Sequence, residues 1–139
     1  MVFLLIVFLL CCLRLNCLND FNLSTIFANS SIEVYVNDLG KGEFKYEKNG
    51  DGFIMFSDVS KLDYILNDYN VLGYTITVNC ELIESVLQKL NPNNFFNVGK
   101  YVYGFKSGLF SKTINNINFQ CAKSEQGVLI GVPILLGSY

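Results

Sequence analysis

The chain has 139 residues, of which 51% are hydrophobic and 16% are charged, and its net charge is -2. A chain of this length and apolar content is expected to fold as one domain rather than to be disordered or fibrous. It contains no His, which excludes Ser/His/Asp triads, Cys/His nucleophiles and most catalytic zinc sites built within the chain. Arg14 is the only Arg, and twelve acidic residues outnumber nine Lys. Nucleic-acid binding, which depends on Lys and Arg, is therefore not expected.

Residues 1–18 predict a signal peptide or a short membrane anchor. An unbroken apolar run of thirteen residues ends at Arg14. Such a run is short for a membrane span of about 20 residues and typical of a secretory apolar region of about 7 to 15. A buried amino-terminal strand or helix is the alternative. We expect a secreted or extracytoplasmic protein that contacts the membrane only through this segment.

Residues 19–31 are rich in Ser and Asn, and we interpret them as a polar tether. A single domain is predicted over residues 32–139, and three strands open it. Apolar and polar residues alternate over residues 32–36 and 43–47, and residues 53–56 return after the hairpin signal Asn49-Gly50-Asp51-Gly52.

Two amphipathic helices follow, separated by a strand at residues 74–78. Ser57 or Asp58 caps the first helix and Asn79 caps the second. Their apolar faces consist of Val59, Leu62, Ile65, Leu66 and Tyr69 in the first, and Leu82, Ile83, Val86, Leu87 and Leu90 in the second. The last three predicted strands are residues 100–105, 114–122 and 128–135. This order indicates a two-layer α+β protein with two helices on one face of a mainly antiparallel sheet.

The last sixty residues carry a resemblance to a known family. Asn118, Gln120, Ala122 and Lys123 form an Asn-x-Gln-x-Ala-Lys motif, and the segment Gly131-Val132-Pro133-Ile134 follows near the terminal Tyr139. Over roughly residues 80–139 the chain resembles the YwmB-like family of secreted or membrane-tethered proteins of spore-forming bacteria, in which Arg is usual where this chain has Lys123. The resemblance implies a two-layer α/β fold, and it supplies no established catalytic residue that could be assigned to this chain. The fold-level likeness of that family to TATA-box-binding proteins is an analogy, and the charge of this chain argues against a DNA partner.

Residues 47–58 resemble the calcium loop of an EF-hand. Oxygen-bearing side chains stand at the first, third, fifth and twelfth positions, which are Glu47, Asn49, Asp51 and Asp58, and Gly52 stands at the sixth. The first and twelfth residues depart from the usual Asp and Glu, and the preceding segment alternates like a strand. A plain hairpin is therefore the main interpretation, with a calcium site as its alternative.

Two cysteines lie in the body of the protein. Cys80 and Cys121 suit a disulfide in an exported chain, but Cys121 alternates with Ile117 and Phe119 as a buried strand residue does. A disulfide between the two cysteines and a free, buried Cys121 are therefore both kept as alternatives. Cys80 stands near a predicted helix start, where a thiol can be activated, yet the sequence offers no base beside it.

A group of aromatic residues precedes the last strands. Such a group forms either a stacking platform for a glycan or peptide or, more commonly, part of the core. Its members are Phe95, Phe96, Tyr101, Tyr103, Phe105 and Phe110.

These observations together predict a non-enzymatic, exported cell-envelope protein that acts by binding a protein or a cell-wall component. We assign no catalytic, cofactor-binding or metal-ligating residue, no cofactor and no nucleic-acid partner. A small calcium-binding domain with its loop at residues 47–58 is the alternative function.

Overall fold

The computed structural model describes residues 2–7, 21–80, 82–109 and 112–136. The described chain forms an eight-stranded antiparallel sheet with short helices, which confirms the predicted α+β class and the mainly antiparallel sheet. Residues 2–7 form a helical segment, α1. The other helices are α2 (Leu23–Ile26), α3 (Leu62–Asp68, preceded by a 3-10 turn at Val59–Lys61) and α4 (Ile83–Leu90). The strands are β1 (Ser31–Val36), β2 (Lys45–Asn49), β3 (Gly52–Asp58), β4 (Val71–Val78), β5 (Asn94–Val98), β6 (Tyr101–Phe105), β7 (Phe119–Ser124) and β8 (Gly127–Val132).

The strands lie in the order β2-β3-β1-β4-β8-β7-β6-β5, with β2 and β5 at the two edges. Consecutive strands pair in four places, at β2–β3, β5–β6, β6–β7 and β7–β8. The long-range pairs β1–β4 and β4–β8 join the two halves at the centre. β1, β4 and β8 lie in the middle of the sheet, and most of their residues are buried.

One face of the sheet supplies the hydrophobic core. Ile32, Ile76 and Ile130 are neighbours across β1, β4 and β8, and all three are buried. Side chains alternate between the faces of a strand, so residues two apart join the same core layer. The other members of the core cluster include Val34, Met55, Leu62, Ile65, Tyr74, Val86, Leu90, Phe119 and Cys121.

The hairpin predicted at Asn49-Gly50-Asp51-Gly52 and the first predicted helix agree with the structure. The prediction that the first three strands form a meander is wrong, because β1 pairs with β3 and β4 and not with β2. The hairpin between β2 and β3 turns at Gly50 and Asp51, and Gly50 has a φ of 59°. Asp58 is the cap of the helical segment that follows, since its Oδ1 accepts a hydrogen bond of 2.9 Å from the Ser60 backbone N–H. That segment begins as a 3-10 turn and continues as α3.

Several predicted boundaries are wrong. The second helix begins at Ile83, and its cap is Leu82 instead of the predicted Asn79. β7 begins at Phe119 instead of residue 114, because Ile114 and Ile117 close a tight turn with Asn115 and Asn116 at positive φ. β8 ends at Val132 rather than at residue 135, because the chain leaves the sheet after Val132. The edge strand β5 was not predicted as a strand.

The fold begins before residue 32, within the segment interpreted as a tether. Asn22 caps α2 by accepting hydrogen bonds from the Ser24 backbone N–H (2.9 Å) and hydroxyl (2.6 Å). Leu23 and Phe27 are buried members of the core cluster. A lead-in rich in Ser and Asn is thus held to the domain by two apolar side chains.

Residues 2–7 expose their apolar side chains. In the part of the chain that the structure describes, no helix is both long and apolar enough to span a bilayer. The predicted signal or anchor extends to residue 18, and its residues 8–18 lie outside the described residues.

Candidate ligand-binding groove

A groove of about 570 Å³ lies between α4 and the β5–β6 hairpin. Its wall on the helix side is formed by residues on the outer face of α4 and by the turn after it. Its other wall is the hairpin itself. The lining residues are Ile83, Glu84, Leu87, Gln88, Asn91, Pro92, Phe95, Asn97, Gly99, Lys100, Tyr101 and Val102.

The helix wall follows from the spacing of apolar residues along α4. Val86 and Leu90 are buried and belong to the core, while Ile83 and Leu87 are only partly buried against it. Residues three or four apart share a helix face, so Ile83 and Leu87 form one stripe beside the core stripe. The helix ends at Asn91, whose left-handed conformation (φ 48°) turns the chain toward β5.

The hairpin wall depends on two glycines. Gly99 has a φ of 59° in the two-residue turn between β5 and β6, a conformation that Gly adopts without the steric cost of a Cβ. A Cβ on Gly104 would lie 2.5 Å from the Asn94 carbonyl oxygen and from the Phe119 ring. Gly104 thus allows β5 and the Phe119 side chain to approach the same point of β6.

The groove combines apolar surface with amides and two charges. Ile83, Leu87 and Phe95 are apolar lining residues, and Gln88, Asn91 and Asn97 are amides. Glu84 and Lys100 are its charged residues, and the Lys100 ammonium lies 5.3 Å from the centre of the Tyr101 ring. Apolar walls with a few well-placed polar groups are typical of ligand-binding clefts.

A smaller, more polar pocket lies at the end of α4. It is lined by Phe21, Asn91, Pro92, Asn93, Lys106, Ser107 and Gly108. The Lys106 ammonium donates a hydrogen bond of 2.9 Å to the Asn91 carbonyl oxygen and lies 4.9 Å from the centre of the Phe21 ring. Asn93 accepts hydrogen bonds from the backbone N–H (2.8 Å) and hydroxyl (2.9 Å) of Ser107. These polar groups join the pocket walls to one another.

The predicted aromatic group is divided between the faces of the sheet. Phe95 lines the groove, whereas Phe96, its neighbour in β5, points to the opposite face. There Phe96 stacks on Tyr103 with ring centres 5.8 Å apart, and Tyr101 lies 6.2 Å from Tyr103. Phe110 lies outside the described residues. The aromatic residues therefore do not form one platform.

The calcium-loop residues do not surround a common point. Glu47 and Asn49 belong to β2, Asp51 lies in the turn, and Asp58 ends β3. The seven residues of β3 extend about 20 Å at roughly 3.3 Å each, which separates Asp51 from Asp58. The hairpin interpretation is confirmed, and the EF-hand geometry is wrong. The described residues contain no cluster of three or more His, Cys, Asp or Glu side chains suited to a metal ion.

The two cysteines of the body are not bonded to each other. Cys121 is buried in the core, and burial raises the pKa of its thiol to about 12. Cys80 precedes α4 by three residues, and its Sγ donates a hydrogen bond of 3.5 Å to the Leu82 carbonyl oxygen. It therefore lies outside the first turn of α4.

The motif residues of the family resemblance have structural partners. Gln120 accepts a hydrogen bond of 2.9 Å from the Leu135 backbone N–H and donates one of 3.3 Å to the Tyr103 hydroxyl. Asn118 bonds to the backbone of Lys106. Both side chains are buried and fasten irregular segments to the sheet.

The fold and the groove define an α+β protein built on a single antiparallel sheet. No family model, curated protein or solved structure matches the chain.

Proposed function

We propose that this is a non-enzymatic, exported protein of the cell envelope that binds a protein or a cell-wall component through the groove between α4 and the β5–β6 hairpin. The proposal rests on the exposed apolar surface of α1. Its side chains are between 41% (Val7) and 78% (Phe3) exposed. The groove supplies a binding surface on the same chain.

Among the described residues, no protein surface covers the side chains of α1. Val2, Phe3, Leu4, Leu5, Ile6 and Val7 are all exposed, on every side of the helical turn. Apolar surface in water costs roughly 25 cal/mol per Å², whereas a lipid or the apolar channel of an export apparatus removes that cost. An amphipathic helix would instead keep one apolar side for a protein core. This pattern supports an export signal or a short membrane anchor.

The groove lies within the part of the chain that resembles the YwmB-like family, roughly residues 80–139. We assign the chain to that type of secreted protein on the basis of the motif ending in Lys123 and the Gly131 to Ile134 segment. In that assignment the motif residues stabilise the sheet, and the exposed groove binds the partner. Its amides and apolar walls suit a peptide or a glycan.

The same proposal includes the layer arrangement, with α3 and α4 together on one face of the sheet. This arrangement is supported by the fact that buried residues of both helices belong to one core cluster. Leu62 and Ile65 of α3 and Val86 and Leu90 of α4 belong to the cluster that also contains Ile76 of the sheet. Two helices on one face leave the opposite face of β5 and β6, with Phe96 and Tyr103, to solvent.

Location is tested by cell fractionation of the full chain. We expect the wild type in the envelope or the medium, and we expect Leu5→Arg to remain in the cytosol because a charge interrupts the apolar run. Leu72→Arg, at an exposed position of β4, is the matched control and should be exported. An intact wild-type chain dissolved in the cytosol would overturn the proposal.

Binding is tested with a photo-crosslinking amino acid at Gln88, an exposed residue that lines the groove. The same probe at Lys61, exposed and outside the groove, is the control. Each variant is irradiated with purified cell-wall fragments and, separately, with envelope proteins. A product specific to position 88 that is lost in Leu87→Glu supports the proposal, and products that are equal at both positions, or absent, contradict it.

A further inference from the structure

The two edges of the sheet differ in charge. β2 presents Lys45, Glu47 and Lys48 along its edge, and charged side chains of this kind prevent edge strands from pairing with other chains. β5 has the sequence Asn-Phe-Phe-Asn-Val, with no charged residue, and all five of its residues are exposed. Within the part of the chain that the structure describes, each edge strand has one neighbour in the sheet. The edge of β5 is therefore open to a further strand and lacks the usual protection.

We propose that β5 pairs antiparallel with β5 of a second copy of this chain, with the two Phe96 residues opposite each other on a twofold axis. Two eight-stranded sheets then form one continuous sheet across the axis. An isologous contact of this kind uses the same surface on both copies and closes at two subunits.

The sequence of β5 is complementary to itself in this register. Phe96 is the middle residue of the strand Asn94–Val98, so a pairing centred on it uses all five residues. Asn94 then lies opposite Val98 of the second copy, and Phe95 lies opposite Asn97 of the second copy. Paired residues lie on the same face of a sheet, so neither face brings two charges together.

The aromatic residues continue across the axis. Phe96 is 49% exposed and stacks on Tyr103 within its own chain, with an interplanar angle of 23°. In the pair, its exposed side meets Phe96 of the second copy. Directly opposed side chains on one face lie about 5 Å apart at Cβ, which is within the range of aromatic contact. The dimer thus covers an aromatic surface that one copy leaves in water.

Charge favours a copy of β5 over a charged partner strand. An uncharged apolar edge gains most from an uncharged apolar strand, and this chain supplies one. The nearest charge along the chain is Lys100, in the turn after β5. In the proposed register the two Lys100 residues are about 25 Å apart, well beyond the Debye length of about 8 Å.

The pairing uses the edge of the sheet, whereas the groove lies on its face. The proposal therefore does not depend on the proposed function, and the two can fail separately. An extended segment of a different protein is the other possible occupant of this edge, and the following test separates it from a second copy.

The test is sedimentation of the full chain in non-ionic detergent over a wide range of protein concentration. The wild type is expected to be dimeric. Phe96→Lys and Phe96→Glu are each expected to raise the dissociation constant of the dimer by about tenfold or more. An equimolar mixture of the two variants should recover the dimer, because the opposed charges then attract. Tyr46→Lys, an equally exposed aromatic (49%) on the β2 edge, is the matched control and should stay dimeric. Circular dichroism of each variant checks that it is folded.

A monomeric wild type at every concentration would overturn the proposal. It would favour a strand of another protein as the partner of the β5 edge. Loss of the dimer in Tyr46→Lys to the same extent would also overturn it. So would a mixture of folded Lys and Glu variants that does not associate, since only residues that meet on the axis rescue one another. Recovery in the mixture, with each variant monomeric alone, supports it.

Discussion

Asn118 and Lys106 are joined by two hydrogen bonds of 2.8 Å each. The Lys106 backbone N–H donates to Asn118 Oδ1, and Asn118 Nδ2 donates to the Lys106 carbonyl oxygen. The Asn118 backbone N–H also donates to the Gly104 carbonyl oxygen (2.9 Å). One side chain thus replaces the backbone partner that Lys106 lacks after β6 ends. Asn118 is 2% exposed, so water does not readily take its place.

We expect Asn118→Ala to lower the free energy of unfolding by about 2 to 3 kcal/mol, because it leaves the backbone N–H and C=O of Lys106 without partners in a partly buried site. Asn118→Asp keeps the acceptor and loses the donor, and its effect should be intermediate. Urea denaturation measures both. Asn67→Ala, at an exposed helical position, is the control and should change stability by less than about 0.5 kcal/mol. An Asn118→Ala effect no larger than the control would contradict this role.

Strands with clear alternation could be predicted from the sequence. Residues 32–36 and 74–78 alternate over their full length, and the structure pairs them at the centre of the sheet. β5 could not be predicted in this way, because Phe95 and Phe96 are adjacent and both are exposed. Only the pairing with β6 makes the segment a strand.

The start of α4 and the groove depend on contacts between distant segments. Asn79 is a residue type that caps helices well, yet the helix begins at Ile83, after Leu82, which makes no side-chain capping bond. The local preference at Asn79 was therefore overridden. The groove requires α4 to lie beside a hairpin that follows it in sequence, and no local pattern fixes that arrangement. The stripe of Ile83 and Leu87 was predicted as apolar, and its incomplete burial is the signal that marks a groove.

The segment after β8 lies directly on the sheet, and Gly131 makes this possible. A Cβ at Gly131 would meet the Leu135 backbone nitrogen and the Ile134 carbonyl carbon and oxygen. Gln120 then accepts the hydrogen bond from the Leu135 N–H. We expect Gly131→Ala to displace the segment and to destabilise the protein by about 1 to 3 kcal/mol.

Hydrogen exchange at the Leu135 amide checks this arrangement. It should become faster in Gly131→Ala, for steric reasons, and in Gln120→Leu, through loss of the acceptor. Gln120→Glu keeps an acceptor oxygen and should exchange more slowly than Gln120→Leu. Unchanged protection of Leu135 in all three variants would show that the segment is held by other contacts.

Cys121 is expected to be unreactive in the native protein. Its thiolate is the reactive form, and burial raises the pKa of the thiol to about 12. An alkylating reagent at neutral pH should leave Cys121 unmodified in the native state and modify it in denaturant, while Cys80, which is partly exposed, reacts first. Peptide mapping by mass spectrometry measures both sites. Rapid native modification of Cys121 would mean that β7 opens readily.

The charge of Asp58 is expected to make the 3-10 turn that precedes α3 sensitive to acid. Two hydrogen bonds from Ser60 lower the pKa of this carboxyl, and the bond from the backbone N–H has a larger effect than the bond from the side chain. A carboxylate whose pKa is lower in the folded state stabilises the protein above its unfolded pKa and loses that contribution as the pH falls through the folded value.

Asp58→Ala should therefore lower the melting temperature at neutral pH, and its difference from the wild type should shrink below about pH 4. Asp58→Asn retains a capping oxygen without the charge and should show a smaller, less pH-dependent loss. Thermal melts from neutral to acid pH measure these differences. A difference between Asp58→Ala and wild type that stays constant over this range would exclude a role for the charge.

Calcium is expected to leave the stability of the protein unchanged. Calcium needs six to eight oxygen ligands around one point, and the strands of the β2–β3 hairpin hold Glu47, Asp51 and Asp58 apart along their length. Asp58 already accepts the Ser60 N–H. A ligand bound only by the folded state must raise the melting temperature in proportion to the logarithm of its concentration. Melts with and without millimolar calcium, with magnesium as the control, should coincide for the wild type and for Asp51→Asn. A rise specific to calcium that is lost in Asp51→Asn would show that the hairpin turn binds the ion after all.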